Sequence, residues 1–377
     1  MNRAIRNTLN TCVLALNVLL GAALLVTAYS GYVNPLERPL MGVLPLTFPG
    51  WLAATAVMLV ADLIWWRKTS LIAIGCILAA WPMVWNTCPF NISSGIPRGT
   101  SPDRVFTVMS YNVCQMKNFR GGYLGGVNPT VSYILSQDAD IVCLQEMNYF
   151  EPVEQFHFTQ AQLDSLQSKY PYIMLGAHGV VTLSRYPLRN IHLDINSRRR
   201  GGWCDMGAWE VDVEGRRLAL FSLHLQSFSF TKEDKAEYLS LTRLEKKENL
   251  GELRGSLIGK LETAAVHRAD QAQMLSRYIE YYGGENVIVC GDFNDVPGCY
   301  TLHCLADCGM KEVWPEVAFG PTYTYFDNRF YFRIDHMLWR GRLRPAGIRR
   351  GNVRYSDHAP LIATFVWDED SKTENKR

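Results

Sequence analysis

The chain has 377 residues, and its 38 Lys and Arg nearly balance 36 Asp and Glu, for a formal net charge of +2 at pH 7. Residues 1–97 hold only five basic and two acidic residues, which leaves 33 basic and 34 acidic residues for the remainder. A nearly neutral domain lacks the strongly basic face expected of a nucleic-acid-binding domain. We interpret the local basic groups at residues 198–200 and 340–354 as solvated charge.

The first 90 residues contain three long apolar segments. Residues 9–33, 48–66 and 70–90 are each close to the roughly 20 apolar residues that cross a bilayer core. We interpret them as three transmembrane helices that form a membrane anchor at residues 1–90. A cleaved signal peptide is the alternative for the first segment, but its apolar region would be shorter and no further spans would follow.

The charges that flank these segments predict their orientation. Arg3 and Arg6 precede the first segment, and Arg67 and Lys68 lie between the second and third, so the positive-inside rule places all four on the cytoplasmic side. Three crossings then carry residue 98 onward out of the cytoplasm. Asp62 is predicted to reach the membrane interface rather than to act inside the bilayer.

The ten cysteines contain no CxxC pair, so the sequence does not indicate a structural zinc site. Three of them lie in apolar, strand-like runs and are predicted to be small core residues, namely Cys114, Cys143 and Cys290. A looser group leaves two alternatives open, free thiols or one disulfide in an oxidising compartment, and consists of Cys299, Cys304 and Cys308.

Beyond a Gly-, Pro- and Ser-rich linker at residues 91–103, short apolar runs alternate with helical patterns. The runs predict buried strands at residues 105–110, 141–144, 180–183, 218–223, 287–290 and 361–366. Helical patterns at residues 131–135 and 264–282 complete the signature of an α/β layered domain. Residues 228–266 form an insertion too long for an ordinary loop, which is typical of a lid or binding loop.

Most predicted strands are followed by a polar residue that can bind a metal or move a proton. Polar groups collected at strand ends are typical of sites in α/β sheets. These residues are Asn112, Glu146, His224, Asp292 and Asn294, and two later pairs are Asp335-His336 and Asp357-His358.

In their order along the chain, these motifs resemble the endonuclease/exonuclease/phosphatase family of deoxyribonuclease I-like, metal-dependent phosphoesterases. The matching pieces are SYN at 110–112, LQE at 144–146, LSRYP at 183–187, LHLQS at 223–227, GDFNDVP at 291–297, RIDH at 333–336 and SDH at 356–358. The resemblance implies a four-layer α/β sandwich, two stacked mixed sheets flanked by helices, over residues 104–368. Residues 369–377 are then a polar tail.

The resemblance also implies roles for the site residues. Glu146, assisted by Asn112 and Asp357, would bind Mg²⁺ or Mn²⁺, which suits an ion that prefers few carboxylates. Asp292 would orient or deprotonate the attacking water, and Asn294 would donate to the phosphoryl group. His358, fixed by Asp335, would contact the phosphate, and His224 would act near the leaving oxygen.

Two further residues in the matched motifs receive minor interpretations. Arg185 is interpreted as a residue that fixes a loop, with binding of the substrate phosphate as the alternative. His336 is predicted not to be catalytic, because the equivalent position in the family varies.

The predicted function is therefore hydrolysis of a phosphodiester or phosphomonoester by a membrane-anchored enzyme. Proximity to the bilayer favours a lipid headgroup as substrate, and an extracytoplasmic nuclease is the alternative. A catalytically silent receptor or scaffold would have lost charged site residues, which are all present. No protein partner is predicted. Trp203, Trp209 and Tyr325 could stack on a base or lie near lipid, but core packing is the favoured interpretation.

Overall fold

A computed structural model describes residues 3–116, 126–147, 159–193, 205–228, 231, 250–327 and 330–368. Several sequence predictions fall outside these residues. They concern the basic group at 198–200, Trp203, most of the insertion before residue 250, and the tail at 369–377.

The N-terminal region contains four α-helices, namely α1 (Arg3–Tyr29), α2 (Phe48–Trp65), α3 (Ser70–Ala79) and α4 (Trp81–Thr87). Two segments, Ala4–Tyr32 and Leu44–Trp65, are long and apolar enough to cross a membrane. The third predicted span is not one continuous helix, because α3 and α4 meet at an angle of 70°. Pro82, near the start of α4, has no N–H to continue the hydrogen bonding of α3, which explains the break.

Contacts at both ends of α1 define how these helices pack. The Trp66 indole donates to the Asn10 side chain near the start of α1, at 3.2 Å, so α2 runs antiparallel to α1. Near the other end, the Tyr29 hydroxyl donates to the carbonyl of Ala79 at 2.6 Å, so α3 runs parallel to α1. The helical rise from Asn10 to Tyr29 is about 28 Å, close to the thickness of a bilayer core.

Asp62 lies between these helices, contrary to the prediction that it reaches an interface. Its side chain is fully buried, and neither carboxylate oxygen has a hydrogen-bond partner among the described residues. The sequence position near the end of a span does not reveal this, because the face of α2 on which Asp62 lies depends on the packing of α1 and α3.

The remaining chain forms the sandwich domain. Its described strands are β1 (Val105–Asn112), β2 (Ile141–Gln145), β3 (Tyr172–Leu175), β4 (Val181–Ser184), β5 (Leu188–Asn190), β6 (Asp205–Val213), β7 (Arg216–His224), β8 (Val287–Asp292), β9 (Lys311–Glu312), β10 (Asp335–Arg340), β11 (Leu343–Arg350) and β12 (Leu361–Trp367). They build two mixed sheets of six strands, in the orders β11-β12-β1-β2-β4-β3 and β5-β6-β7-β8-β10-β9. Apolar side chains of both sheets, including Phe106, Trp209 and Ile288, fill the space between them.

Helices cover the outer faces of both sheets, so the predicted α/β sandwich is confirmed. They are α5 (Pro129–Gln137), α6 (Gln160–Lys169), α7 (Leu250–Tyr282), α8 (Tyr300–Asp307) and α9 (Val313–Val317). Helix α7 begins 14 residues before the start predicted at residue 264, so the later part of the insertion is helix and not loop. Glycines at 251, 255 and 259 weaken the helical pattern there.

The cysteine predictions are partly confirmed. Cys143 and Cys290 are buried between the sheets, whereas Cys114 is only half-buried. Cys299, Cys304 and Cys308 are all free thiols, which resolves the alternative of a disulfide within this group.

The N-terminal helices pack directly on the sandwich domain. Tyr32, just after α1, stacks on His303 with ring centroids 3.8 Å apart. The Trp85 indole in α4 donates to the carbonyl of Pro315 at 3.1 Å. Asn91, the first residue of the predicted linker, donates to the carbonyls of Pro315 and Ala318, both at 2.9 Å. The end of α1 and the whole of α4 therefore adjoin the sandwich domain, whereas the link between α2 and α3 lies at the far end of the helices.

Candidate active site

Four polar residues form one row across neighbouring strands of the second sheet. The strand registers pair Asp205 with His224, His224 with Asp292, and Asp292 with Asp335. Each lies at an end of its strand, and together they line one edge of the sheet. Sequence reasoning identified three of the four and missed Asp205.

A signal for Asp205 was present in the sequence. Strands β6 and β7 are joined by the two residues Glu214-Gly215, which have φ values of 54° and 79°. Positive φ at both positions is the mark of a type I′ hairpin turn, which fixes the register of its strands. With Val213 opposite Arg216, counting back places Asp205 opposite His224.

The first sheet contributes Asn112 and Glu146 to the same place. Asn112 ends β1, and Glu146 follows β2, whose last residue is the register partner of Asn112. The Asn112 side-chain amide donates to Glu146 Oε1 at 2.9 Å and to Asp292 Oδ2 at 3.0 Å. Asn112 therefore connects the edges of the two sheets through a buried hydrogen bond.

The backbone is specialised around these residues. Glu146 and Asn294 have φ values of 56° and 50°, in the left-handed region that is uncommon for non-glycine residues and enriched at functional sites. A Cβ at Gly291 would lie 1.9 Å from the carbonyl oxygen of Leu223. Only glycine fits there, so the close approach of β7 and β8 that aligns His224 with Asp292 depends on it.

His358 lies between two carboxylates. Its Nδ1 is 2.8 Å from Asp335 Oδ2, and its Nε2 is 3.5 Å from Asp292 Oδ2. Burial by itself would lower the pKa of His358, but the carboxylates of Asp335 and Asp292 outweigh it and hold that pKa well above its ordinary value. These carboxylates therefore favour the imidazolium form of His358, and its Nε2 faces Asp292 at the centre of the site.

Residues around His358 hold its loop in place. The Ser356 hydroxyl donates to the carbonyl of Asn112 at 2.8 Å and accepts from the backbone N–H of His358 at 3.1 Å. The Tyr325 ring lies 5.1 Å from the His358 ring, so Tyr325 belongs to the site instead of the core. Sequence reasoning did not assign Ser356 a role and misplaced Tyr325, whereas Trp209 is buried as predicted.

His224 faces the same centre from the second sheet. Its Nε2 is 3.7 Å from Asp292 Oδ2 and 3.9 Å from Glu146 Oε1, and its Nδ1 is 3.9 Å from Asp205 Oδ2. These separations exceed hydrogen-bond length, so Nε2 can bond to a third group placed between them. Burial raises the pKa of Asp205 to about 6, although the imidazoles of His224 and His178 lower it.

The donor set fits a divalent cation. Four carboxylates, those of Glu146, Asp292, Asp335 and Asp357, surround the site. Among the described residues, the imidazoles of His224 and His358 are the only cationic groups within ion-pair distance of any of them. Glu146 is the most exposed of the paired carboxylates, with 35% of its side chain accessible. Excess negative charge beside a partly open carboxylate suits a hard cation with oxygen ligands.

A second grouping of potential ligands is closer together but less suited to a metal. Ligand atoms of Asp292, Asp335 and His358 all lie within 4.8 Å of one another. A histidine must be deprotonated to bind a metal, whereas the carboxylates of Asp335 and Asp292 raise the pKa of His358. On this ground the side of the site that carries Glu146 suits a metal better than this trio does.

The other predicted residues are accounted for as follows. Asn294 donates through its side chain to the carbonyl of Leu225 at 3.0 Å, and its backbone N–H donates to Asp292 Oδ1 at 2.9 Å. Asp357 is half-buried, and its charge contributes to the raised pKa of His358. His336, which was predicted not to be catalytic, is fully buried and contacts Glu312 at 2.6 Å, away from the site.

Arg185 does not join the cluster. It follows β4 and contacts Asp138 and Asp140, which precede β2, so it lies at the end of that strand opposite Glu146. The alternative of a substrate-binding Arg185 is corrected on this ground, and fixing the loop before β2 is the role that its contacts support.

The two-sheet fold and a site of clustered carboxylates, imidazoles and amides define a hydrolase that acts on phosphoester bonds. The chain belongs to the Endonuclease/Exonuclease/phosphatase family, whose model matches residues 109–358. A second model, described as a domain of unknown function (DUF8431), matches residues 10–87.

Individual proteins are similar to the chain at low identity. "Uncharacterized protein YbhP" of Escherichia coli K12 is 24% identical over 247 residues, which span 60% of this chain and 82% of that protein. An endonuclease/exonuclease/phosphatase structure from Beutenbergia cavernae has a TM-score of 0.49 at 17% identity, covering 70% of this chain and 72% of that one. The human Nocturnin catalytic domain with bound sulfate has a TM-score of 0.43 at 16% identity, covering 70% of this chain and 95% of that one.

Asp205→Asn is expected to stabilise the protein while it lowers activity. Because the pKa of Asp205 is raised in the folded protein, ionisation of Asp205 lowers the free energy of unfolding. This destabilisation is absent below pH 3.8, grows between pH 3.8 and about pH 6, and is complete above about pH 6. At pH 7.5 the substitution should raise the free energy of unfolding by about 1 to 2 kcal/mol, after allowance for partial solvent access. The difference in unfolding free energy between Asp205→Asn and the wild type should become smaller toward pH 4.

Thermal denaturation at pH 4.5 and 7.5, together with kcat, tests this expectation. A lower kcat follows because His224 loses the carboxylate that faces its Nδ1. Asp164→Asn, on the exposed face of α6, is the matched control and should change neither quantity. Destabilisation of Asp205→Asn at pH 7.5, or a stability gain equal at both pH values, would contradict the assignment.

Proposed function

We propose that this protein is a membrane-anchored, divalent-metal-dependent phosphoesterase that hydrolyses its substrate by in-line attack of water. The observation that supports this most strongly is the convergence of Asn112, His224 and His358 on one carboxylate oxygen, Asp292 Oδ2, at 3.0, 3.7 and 3.5 Å. A phosphoryl group under attack develops negative charge on its oxygens, and nitrogen donors around a central carboxylate suit that requirement.

Asp292 orients the attacking water and accepts its proton. Its Oδ1 accepts from the backbone N–H of Asn294 at 2.9 Å, and its Oδ2, which accepts from the Asn112 amide, has a second lone pair to receive the proton of the water. His358 donates from Nε2 to a phosphoryl oxygen, and Asp335 stabilises its positive charge. The second N–H of the Asn294 amide, which the bond to Leu225 does not use, is available to the same group.

His224 acts at the opposite side of the phosphorus, near the leaving oxygen. Its position between Glu146 and Asp205 keeps the imidazole oriented while its Nε2 remains available. A proton delivered there would neutralise the alkoxide as the bond to phosphorus breaks.

Glu146 would hold the metal, with Asn112 and Asp357 as additional ligands. A divalent cation there would supply Lewis-acid stabilisation of the phosphoryl oxygens. The Asn112 amide contributes a further constraint, because its bond to Glu146 Oε1 fixes the orientation of that carboxylate.

Hydrolysis of bis-p-nitrophenyl phosphate by the purified full-length protein tests this proposal. Activity should require Mg²⁺ or Mn²⁺ and disappear with a chelator. Glu146→Gln should weaken Mn²⁺ binding, measured by electron paramagnetic resonance, by at least about tenfold, and Glu210→Gln on the outer part of β6 is the matched control. Metal-independent hydrolysis, or unchanged Mn²⁺ binding in Glu146→Gln, would contradict it.

The proposal includes a sandwich domain held outside the cytoplasm. Contacts of Tyr32 and Trp85 with the sandwich domain support it, since they put the end of α1 and the end of the α3–α4 pair on the same side. Arg67 and Lys68 fall on the other side, where the positive-inside rule favours the cytoplasm. A test is to fuse to the C-terminus a reporter enzyme that is active only in the cytoplasm. Activity of that reporter in cells would overturn this orientation.

A further inference from the structure

A cavity of about 380 Å³ lies between the N-terminal helices and the sandwich domain. We name it the junction cavity. Its walls are mostly apolar and aromatic, and come from Leu46, Met83, Val296, Tyr323, Tyr331 and Phe332, among others. Its volume lies within the range of small-molecule sites. Arg333 also lines it, but its guanidinium is paired with Glu312 and the carbonyl of Asn86, so the cavity has no free charge from that residue.

The junction cavity adjoins the active site along three chain segments. Val296 is two residues from Asn294, Tyr323 is two residues from Tyr325, and Arg333 is two residues from Asp335. Two residues of chain span at most about 7 Å. Since Tyr325 packs on His358, the cavity and the reacting centre are neighbours in the structure.

The opposite wall belongs to the segments that are apolar enough to cross a membrane. Leu46 and Pro49 lie at the start of the segment Leu44–Trp65, and Met83 lies in the bent helix pair. Exposed aromatic side chains surround this junction, with Tyr331, Phe319 and Phe90 at 56%, 67% and 49% exposure. Aromatic residues of this kind are enriched at membrane interfaces, so membrane lipid is the apolar molecule with direct access.

Two arginines contact the segment that joins the cavity to the site. The guanidinium of Arg350 lies 4.5 Å from the ring centroid of Tyr323, which lines the cavity. That of Arg354 lies 5.6 Å from the ring centroid of Phe326, whose backbone N–H bonds to the carbonyl of Asp357. The sequence alone suggested solvated charge for both. An apolar cavity, neighbouring arginines and a phosphoester site suit an amphiphilic phosphate ester.

We propose that the junction cavity binds an acyl chain of the substrate, so that the phosphoester cleaved is that of a membrane lipid. This inference rests on the proposed phosphoesterase activity and adds the class of molecule on which it acts. The acyl chain enters between Leu46 and Thr322, and the phosphate lies at Asp292 and His358.

Two substrates that differ only in the length of their alkyl chain, and share the same leaving group, test the proposal. The substrates are methyl and dodecyl p-nitrophenyl phosphate, presented to the full-length protein with Mg²⁺ in the same detergent micelles. The wild type should prefer the dodecyl ester in kcat/KM by about tenfold or more, since several methylenes become buried. Leu46→Trp and Thr322→Trp, which fill the cavity from opposite walls, should each abolish this preference while hydrolysis of the methyl ester is unchanged.

Leu40→Trp is the matched control, because Leu40 is exposed and does not line the cavity; it should keep the preference. Equal kcat/KM for both esters in the wild type, or an intact preference in both cavity-filling variants, would overturn the acyl-chain site while the phosphoesterase activity stands. Faster cleavage of thymidine 5′-p-nitrophenyl phosphate than of the dodecyl ester would also overturn it and favour a nucleic-acid substrate. Failure to cleave any ester would refute the underlying activity.

Discussion

Asp292→Asn is expected to reduce kcat for phosphodiester hydrolysis by about 10²- to 10⁴-fold, the range for loss of a general base. The amide keeps the size of the side chain but cannot accept the proton of the attacking water. It also removes the negative charge that His224 and His358 face at 3.7 and 3.5 Å. KM should change far less than kcat, because the phosphoryl contacts of His358 and Asn294 remain.

Asp164→Asn is the matched control, since Asp164 is exposed on α6 and bonds only to Gln160 among the described residues. Its kcat should equal that of the wild type. Steady-state kinetics with bis-p-nitrophenyl phosphate at saturating Mg²⁺ measures both variants. Retention of more than about one-tenth of wild-type kcat by Asp292→Asn, in folded protein, would remove Asp292 from the role of base.

Arg333→Met is expected to destabilise the protein by about 3 to 5 kcal/mol, because it removes the guanidinium that, together with His336, compensates the buried carboxylate of Glu312. Arg333 is 4% exposed, pairs with Glu312, and donates to the carbonyl of Asn86 in α4 at 2.5 Å. Burial favours the neutral form of Glu312, but Arg333 and His336 outweigh it and hold the pKa of Glu312 below its ordinary value. Tm should fall by about 5 to 10 °C.

The difference in stability between wild type and Arg333→Met should narrow at acid pH. A depressed pKa contributes stability above the ordinary pKa of glutamate, and this contribution is lost as pH falls through the lower pKa of the folded state. Arg342→Met is the matched control, because Arg342 pairs with Glu285 on the surface, where both side chains are more than half exposed. It should shift the free energy of unfolding by less than about 1 kcal/mol. Equal changes in the free energy of unfolding for Arg333→Met and Arg342→Met would contradict the role of the buried pair of Arg333 and Glu312.

Arg333 also connects the N-terminal helices to the active site. It lies two residues before Asp335, and Asp295, which follows Asn294, accepts from His336 through its backbone carbonyl at 2.9 Å. The same buried network therefore contacts α4 on one side and the strand that carries Asp335 on the other. Through this network the sandwich domain contacts the helices directly, in addition to its connection through residues 91–103.

The sequence motifs predicted the fold and most of the site because most of them follow a strand. Asn112, His224 and Asp292 end buried strands, and an apolar run followed by a polar residue is visible without tertiary information. The register then brings them together, since His224 and Asp292 are direct partners across parallel strands. Asp205 was missed because it begins its strand, and only the hairpin register identifies it.

Features that depend on packing between distant segments could not be predicted. The burial of Asp62 follows from the packing of α2 against α1 and α3. Tyr325 resembles a core aromatic in sequence, and only its bridge to His358 and Phe332 places it at the site. Arg185 matched a motif position, but its role is set by Asp138 and Asp140, which occupy its guanidinium.

Hydrolysis in ¹⁸O-labelled water tests most directly whether water attacks phosphorus at this site. With bis-p-nitrophenyl phosphate and Mg²⁺, mass spectrometry of the products of the full-length protein should find one ¹⁸O atom in p-nitrophenyl phosphate and none in p-nitrophenol. Label in the phenol would indicate attack at carbon. Labelled p-nitrophenol, or p-nitrophenyl phosphate without ¹⁸O, from the wild type would contradict in-line attack of water oriented by Asp292.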